Sequence, residues 1–467
     1  MPMEREWQTL RELLLPAVAG TTRGKRGRTV ENELRGAIRD GRLPPGSRVP
    51  SSRDLAGQLG LSRGTVAAAY NQLVAEGYLI AERGSGTRVT SHIGTPADGA
   101  TARAPRARVD LHPGLPSLSS FPRAEWLAAH RAALADLPND ELGYPDPAGL
   151  PALRTELSAY LGRVRAVAAE PASLLVTNGA AEGLALVADE LHRRGHRSIA
   201  VEDPSHRGQS ELLASHGLSP VPVPVDEHGI RVDDLAATGC RAVLVTAAHQ
   251  FPLGVVLHPD RRHRLLEWAA EQDGLVVEDD YDAEHRYDRP ALGAMQALAP
   301  TRVIYQGSVS KVLAPALRLG WLVLPPALLP ELVERKRLDD LGCATLPQAA
   351  FAHLLRTGGY DRHLRRTRAL YRRRRDMLLS TLSDVDGCEP VGVAAGLHLV
   401  LRLPPRVDDR QVQESLADQG IAAPALSGYA HGPAPFPGLV LGYAALSADQ
   451  IRQTSAAIAA VVGQLCR

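Results

Sequence analysis

Residues 305–311 read YQGSVSK, that is Tyr305-Gln306-Gly307-Ser308-Val309-Ser310-Lys311, and Arg318 follows seven residues later. The apolar run Val303–Tyr305 predicts a strand that ends in a serine-rich turn holding Lys311. Similar runs occur at Leu174–Val176, Ser198–Val201, Ala242–Val245, Leu275–Val277 and Trp321–Leu324, with helical stretches between them. Strands without polar alternation are buried on both faces, so the reading is an α/β domain around a mainly parallel sheet. From about Leu338 the pattern changes to long helices and then a smaller α+β piece.

The turn also carries chemistry. Pyridoxal 5'-phosphate requires a lysine amine for a Schiff base, and hydroxyls with an arginine for its phosphate. Lys311, Ser308, Ser310 and Arg318 suit those needs. Upstream, Val276-Val277-Glu278-Asp279-Asp280-Tyr281-Asp282 places acids at the end of a buried strand, which is costly without a cation. Positions i and i+2 share one strand face, so Asp279 and Tyr281 both reach one ring: Asp279 its pyridinium, Tyr281 its phenolic oxygen. A third segment, Thr177-Asn178-Gly179-Ala180-Ala181-Glu182, joins a strand to a helix and turns the amides of Gly179 and Ala180 toward a phosphate.

The N-terminal part reads differently. Val30, Leu34, Ala37 and Ile38 have helical spacing and Gly41 stops the helix. Ser51 or Ser52 caps a short helix with Leu55, Ala56 and Leu59; Gly60 ends it, and Ser62 caps the next, Arg63–Glu76. Two strands, Tyr78–Ile80 and Thr87–Thr90, flank Gly84-Ser85-Gly86, in a hairpin turn (Arg83–Thr87) small enough to enter a minor groove. Two short helices joined by Gly60-Leu61-Ser62 make a helix-turn-helix, with Arg63 and Thr65 at the exposed start of its second helix. Residues 21–91 hold 12 Lys/Arg against 6 Asp/Glu, a net of +6, which leaves −5 for the rest of a chain whose total is +1. A basic module on a mildly acidic body assigns the polyanion to the module alone.

The chain is 467 residues long, enough for two or three domains. Residues 92–109, rich in Thr, Ala, Pro, Gly and Arg, read as a linker between a module at 21–91 and a domain at 110–467. Cys240, Cys343, Cys388 and Cys466 have neither metal-ligand nor redox spacing, so no metal site is expected. Reduced thiols, the absence of an 18-residue apolar run and a charged start at Met1–Leu15 give a cytoplasmic expectation with no membrane partner.

Residues 43–89, LPPGSRVPSSRDLAGQLGLSRGTVAAAYNQLVAEGYLIAERGSGTRV, resemble the winged helix of the GntR regulators. That resemblance implies contacts to double-stranded operator DNA from Arg53, Arg63, Thr65 and Gly86. The three cofactor segments, in their order, resemble fold-type I aminotransferases. With VDLHPGLPSLSSFPRAEW (109–126), GYPDPAGLPALRTELSAYL (143–161), VEDPSHRG (201–208) and AAHQFPLGVVL (247–257), nearly the whole chain resembles the MocR subfamily of GntR regulators. The resemblance implies a head-to-tail homodimer, each winged helix against its partner's cofactor domain, and Tyr144 reaching the partner's phosphate site. It implies Lys311 as the Schiff-base lysine.

The sequence departs from the aminotransferase pattern in three places. Phe251-Pro252-Leu253-Gly254 stands for an Asn-Pro-Thr-Gly turn, leaving His249 or Gln250 to replace the ring-contacting Asn. His206 takes the place of the ring-stacking aromatic. Val440 stands where many aminotransferases keep the arginine that binds a substrate carboxylate, and Arg207 offers a different anion site. The resulting expectation is a transcriptional regulator that senses pyridoxal phosphate or an amino compound, with at most residual transaminase activity. The alternative is a working aminotransferase with an accessory DNA module.

Overall fold

The computed structural model describes residues 12, 14–82, 86–91, 107–288, 292–382 and 385–466. Most of the linker read at 92–109, the wing-tip residues 83–85 and most of the start at 1–15 lie outside them. The chain separates into two compact units, divided between residues 105 and 106.

Among the described residues of the first unit, helices and a small sheet pack around one core to which Leu14 and Val18 also contribute. Helix Arg26–Arg39 buries Val30, Leu34, Ala37 and Ile38, the four positions marked by the sequence period. Helix Ser52–Leu59 is capped by Ser51, whose Oγ accepts from the Asp54 amide at 3.2 Å, which settles the choice between the two serines. Ser62 caps helix Arg63–Ala75, accepting from the Thr65 amide at 3.1 Å. β1 (Arg48–Val49), β2 (Leu79–Glu82) and β3 (Gly86–Val89) form an antiparallel sheet in the order β1-β3-β2. The two-residue β1 was too short to read in the sequence. It is tied to the second helix of the motif by Tyr70, whose hydroxyl donates to the Pro50 carbonyl at 2.9 Å.

The second unit is built on eight strands. After β4 (Val109–Asp110) come β5 (Leu174–Thr177), β6 (Ser198–Asp203), β7 (Ser219–Asp226), β8 (Gly229–Ile230), β9 (Ala242–Val245), β10 (Leu275–Asp280), β11 (Val303–Ser308) and β12 (Gly320–Val323). Their order is β5-β12-β11-β10-β9-β6-β7-β8. The run from β11 to β7 is parallel; β12 is antiparallel to both its neighbours, and β8 to β7. The central strands are buried along their length, as the unalternating apolar runs required. β7, with Pro220, Pro222 and Pro224, gave no strand signal. Its prolines fall on alternate positions, so the N–H groups of Val221, Val223 and Val225 remain free to serve the ladder with β6.

Helices Thr345–Arg356 and Gly359–Leu382 lead to a smaller three-stranded sheet, β13 (Glu389–Val391), β14 (His398–Arg402) and, after β15 (Ile421–Ala422), β16 (Gly438–Gly442). No helix among the described residues is long and apolar enough to cross a membrane.

Candidate functional site

Parallel strands deliver their C-terminal ends to one edge of a sheet, and ligands bind in the crevice there. Here that edge holds a cavity of about 350 Å³, walled by Lys311, Asp279, Tyr281, His206, Ser308 and Arg318 among others. Ser310 and Ala180 also line it. Gly179 lies just behind, packed on the Arg318 guanidinium. The seven cofactor-directed side chains and the Gly179–Ala180 turn, spread over 140 residues of sequence, thus meet at one place.

Lys311 follows β11 and makes no hydrogen bond or ion pair among the described residues. Burial lowers the affinity of its amine for a proton, while Asp282 and Asp279 oppose that fall. Asp279 is 6% exposed, at the end of β10. It accepts hydrogen bonds from Gln209 Nε2 at 2.6 Å and Gln306 Nε2 at 3.2 Å. Burial raises the pKa of this carboxyl above the usual range; the amide donors and Lys311 act the other way. The Tyr281 hydroxyl, kept protonated by burial and by Asp282 and Asp279, lies 3.1 Å from His249 Nδ1. His249 Nδ1 in turn lies 3.1 Å from both Asp282 oxygens. Of the two candidates to replace the turn asparagine, Gln250 is committed elsewhere: its Nε2 donates to the Pro204 and Phe251 carbonyls, and its Oε1 accepts from the Leu253 amide. His249 is connected to the cavity through Tyr281, although it does not line it.

The phosphate-directed side is built by two close approaches. Gly179, at φ +87°, precedes helix Ala180–Arg193; a Cβ there would stand 2.9 Å from Arg318 Nη2. Arg318 Nη2 donates to the Asn178 carbonyl at 2.7 Å. Gly114, at φ +83°, leaves room for Lys311: a Cβ would stand 2.9 Å from Nζ. Gly114, Gln209 and Gln306 were not singled out from sequence. A lone glycine between Pro113 and Leu115, and an amide side chain on a helix or strand, leave no pattern to read. His206 forms a wall of the cavity, its ring centroid 5.6 Å from that of Phe251. Tyr144 is 90% exposed and does not line its own chain's cavity. Val440 is buried in β16, paired with Val400, and is also absent from the lining.

These features fit a phosphorylated pyridoxal. An amine held toward neutrality, a buried carboxyl with no ion-pair partner among the described residues, a protonated phenol and a helix N-terminus beside an arginine match its aldehyde, ring nitrogen, ring oxygen and phosphate.

In the first unit, Arg53 and Arg63 are exposed, with no ion pair among the described residues. Thr65 sits half-buried one turn into its helix, its Oγ1 2.8 Å from Ser62 Oγ. Gly86 starts β3, with the Arg48 guanidinium alongside at van der Waals distance of a would-be Cβ. A Cβ on Gly27 would stand 3.0 Å from Thr65 Cγ2, so the N-terminal end of helix Arg26–Arg39 abuts the start of the second helix of the motif. Arg48 and Gly27 were not marked by the sequence, because nothing local places them beside Gly86 and Thr65.

Residues 26–89 match the family model described as "Bacterial regulatory proteins, gntR family", and residues 116–458 that described as "Aminotransferase class I and II". The HTH-type pyridoxine biosynthesis transcriptional regulator PdxR of Corynebacterium glutamicum is 35% identical over 436 residues, covering 92% of this chain and 94% of that protein. The probable rhizopine catabolism regulatory protein MocR of Rhizobium meliloti is 32% identical over 465 residues, covering 91% of each. Among solved structures, the Pyrococcus horikoshii kynurenine aminotransferase superposes with a TM-score of 0.71 at 24% identity, over 78% of this chain and 92% of that one, which shows the fold alone.

Proposed function

We propose, because the chain belongs to the MocR-type subfamily of GntR transcriptional regulators, that its aminotransferase-like unit is a sensor for pyridoxal phosphate whose state sets how the winged helix binds operator DNA. The chain is a transcriptional regulator. The observation that carries the sensor reading is the cation count of the cavity. Apart from His206, its lining cations are Lys311 and Arg318. With Lys311 assigned to the aldehyde and Arg318 to the phosphate, none remains in the wall for a substrate carboxylate, and Val440 is buried elsewhere.

When bound, pyridoxal phosphate supplies an aldehyde that a lysine amine can capture. Burial holds the Lys311 amine toward its neutral, nucleophilic form. Asp279, kept in place by Gln209 and Gln306, offers a negative charge to the pyridine nitrogen. Tyr281, backed by His249, donates from its hydroxyl toward the ring oxygen. Ser308, Ser310, Arg318 and the amides at Gly179 and Ala180 hold the phosphate. His206 covers a ring face, and Phe251 fixes that imidazole.

The C. glutamicum relative carries pyridoxine biosynthesis in its name and the R. meliloti relative rhizopine catabolism. Pyridoxal phosphate itself is therefore the first effector to test and an amino compound the second, with Arg207, between the lining residues His206 and Gly208, as an anion site for the latter. A homodimer is supported by an apolar face on neighbouring elements: Leu127 and Leu134 on helix Arg123–Asp136, with Leu142, Tyr144 and Leu346, all exposed. A second copy covering that face brings Tyr144 to the partner's phosphate side. Arg53, Arg63, Thr65 and Gly86 face the operator.

Purified protein titrated with pyridoxal phosphate is expected to gain a visible absorbance band and to change its affinity for its own promoter. A protein that gains no band overturns the cofactor assignment. The retained Lys311, Asp279 and Tyr281 keep the enzymatic alternative open to one test: sustained turnover of amino and keto acid pairs at enzyme-like rates would replace the sensor by an aminotransferase.

A further inference from the structure

The turn that carries the proposed phosphate site is held from behind by an ion cluster in which the lysine is buried and its two carboxylates are partly exposed. The Asn178 amide nitrogen donates to Glu182 Oε2 at 2.5 Å, and Asn178 Nδ2 donates to Asp340 Oδ2 at 2.8 Å and Glu182 Oε1 at 3.2 Å. Both carboxylates receive the ammonium of Lys336. Its Nζ lies 3.0 and 2.9 Å from the Glu182 oxygens and 2.8 Å from Asp340 Oδ2. Lys336 is 0% exposed. The same Asp340 accepts from the Gly342 amide at 2.8 Å. The Asn178 carbonyl completes the chain of contacts by accepting from Arg318.

The charge arrangement is unusual for an anion site. Glu182 occupies the first turn of helix Ala180–Arg193. A carboxylate there suits the helix dipole but repels a phosphate arriving at the same end. Asp340 adds a second negative charge behind it. Glu182, Asp340 and Cys343 lie within 4.8 Å of one another, and the Lys336 ammonium stands among them where a cation belongs. Burial acts to lower the pKa of Lys336, but its bonds to Asp340 and Glu182 prevail and hold it above the ordinary lysine value.

We propose that Lys336 is a positioning residue for phosphate recognition: it neutralises Glu182 and Asp340, so that the Asn178–Gly179 turn and Arg318 accept a dianionic phosphate group instead of repelling it. The inference rests on the cofactor reading above. It concerns the phosphate alone and not the capture of the aldehyde by Lys311.

That distinction gives the test. Full-length wild type and Lys336→Met are titrated with pyridoxal phosphate and with pyridoxal, which has the same aldehyde, phenol and ring nitrogen but no phosphate. Visible absorbance reports the adduct on Lys311. In Lys336→Met the affinity for pyridoxal phosphate is expected to fall about tenfold, the scale of a charge-assisted contact, while that for pyridoxal stays within about twofold. Adding Glu182→Gln to that variant is expected to restore most of the loss. Equal losses for the two aldehydes, or an unchanged affinity for pyridoxal phosphate, overturn the proposal. If Lys336→Met does not fold, Glu182→Gln alone decides: it keeps the lysine and removes one opposing charge, so the preference for pyridoxal phosphate over pyridoxal must rise severalfold. No rise overturns the proposal. A wild type that forms an adduct with neither aldehyde overturns the cofactor reading and this inference with it.

Discussion

Lys311 sits where burial withdraws water from its ammonium, and that has a pH consequence. A lowered pKa means the neutral amine is populated at lower pH than in an exposed lysine. The rate of adduct formation with pyridoxal is therefore expected to reach its plateau below the pH at which a free lysine does. A stopped-flow rate–pH profile with a midpoint at the ordinary lysine value of about 10.4 would contradict this. Lys311→Ala removes the amine altogether, and the visible band should vanish. Gly179→Ala adds a Cβ 2.9 Å from Arg318 Nη2 at a φ of +87°. It is expected to weaken pyridoxal phosphate by about tenfold, on the scale of a lost charge-assisted contact, as measured by titration against pyridoxal. At this scale the sequence was informative wherever spacing implies a shared face. Asp279 in β10 and Tyr281, one residue past its end, do line one cavity. Gln209 and Gln306, which hold Asp279, were illegible because their contacts come from elements 70 and 27 residues away.

Short elements explain most of what the reading of secondary structure caught and lost. Caps were legible because serine competes for the first free amides of a helix, and Ser51 and Ser62 both do so. Ser62→Ala should lower the thermal stability of the first unit by about 1 kcal/mol, readable as a melting shift. Arg63→Ala, one residue on, leaves that cap intact. It is expected to weaken operator binding by about 1–3 kcal/mol at fixed salt in a gel-shift titration, with little change in melting. Unchanged affinity would remove Arg63 from the interface. β7 was lost to its prolines, and β1 to its two-residue length. The antiparallel direction of β12 had no local signature. Strand direction is set by how Ser308–Gly320 and Thr177–Gly320 pair across the sheet, not by the residues of the strand itself.

The whole molecule joins a basic regulatory module to an aminotransferase-like body, and the proposed homodimer is testable at this scale. In the proposed homodimer, charging the apolar face, as in Leu127→Glu with Leu134→Glu, is expected to shift the protein from dimer to monomer in sedimentation and to weaken pyridoxal phosphate binding as the partner's Tyr144 is withdrawn. A variant that stays dimeric would place the interface elsewhere. What the sequence by itself determined was the two-part build, the α/β class, the winged helix and the residues that gather around Lys311. Each follows from periodicity, caps or motif order, which act over a few residues. What only the tertiary structure decided was how those residues are supported: the choice of His249 over Gln250 behind Tyr281, the glycines that admit Lys311 and Arg318, and the buried Lys336 that balances two acids at the phosphate turn. Such partners lie up to 197 residues apart, as Gly114 and Lys311 do. Their interaction exists only once folding brings them together and withdraws part of the water that would otherwise screen them.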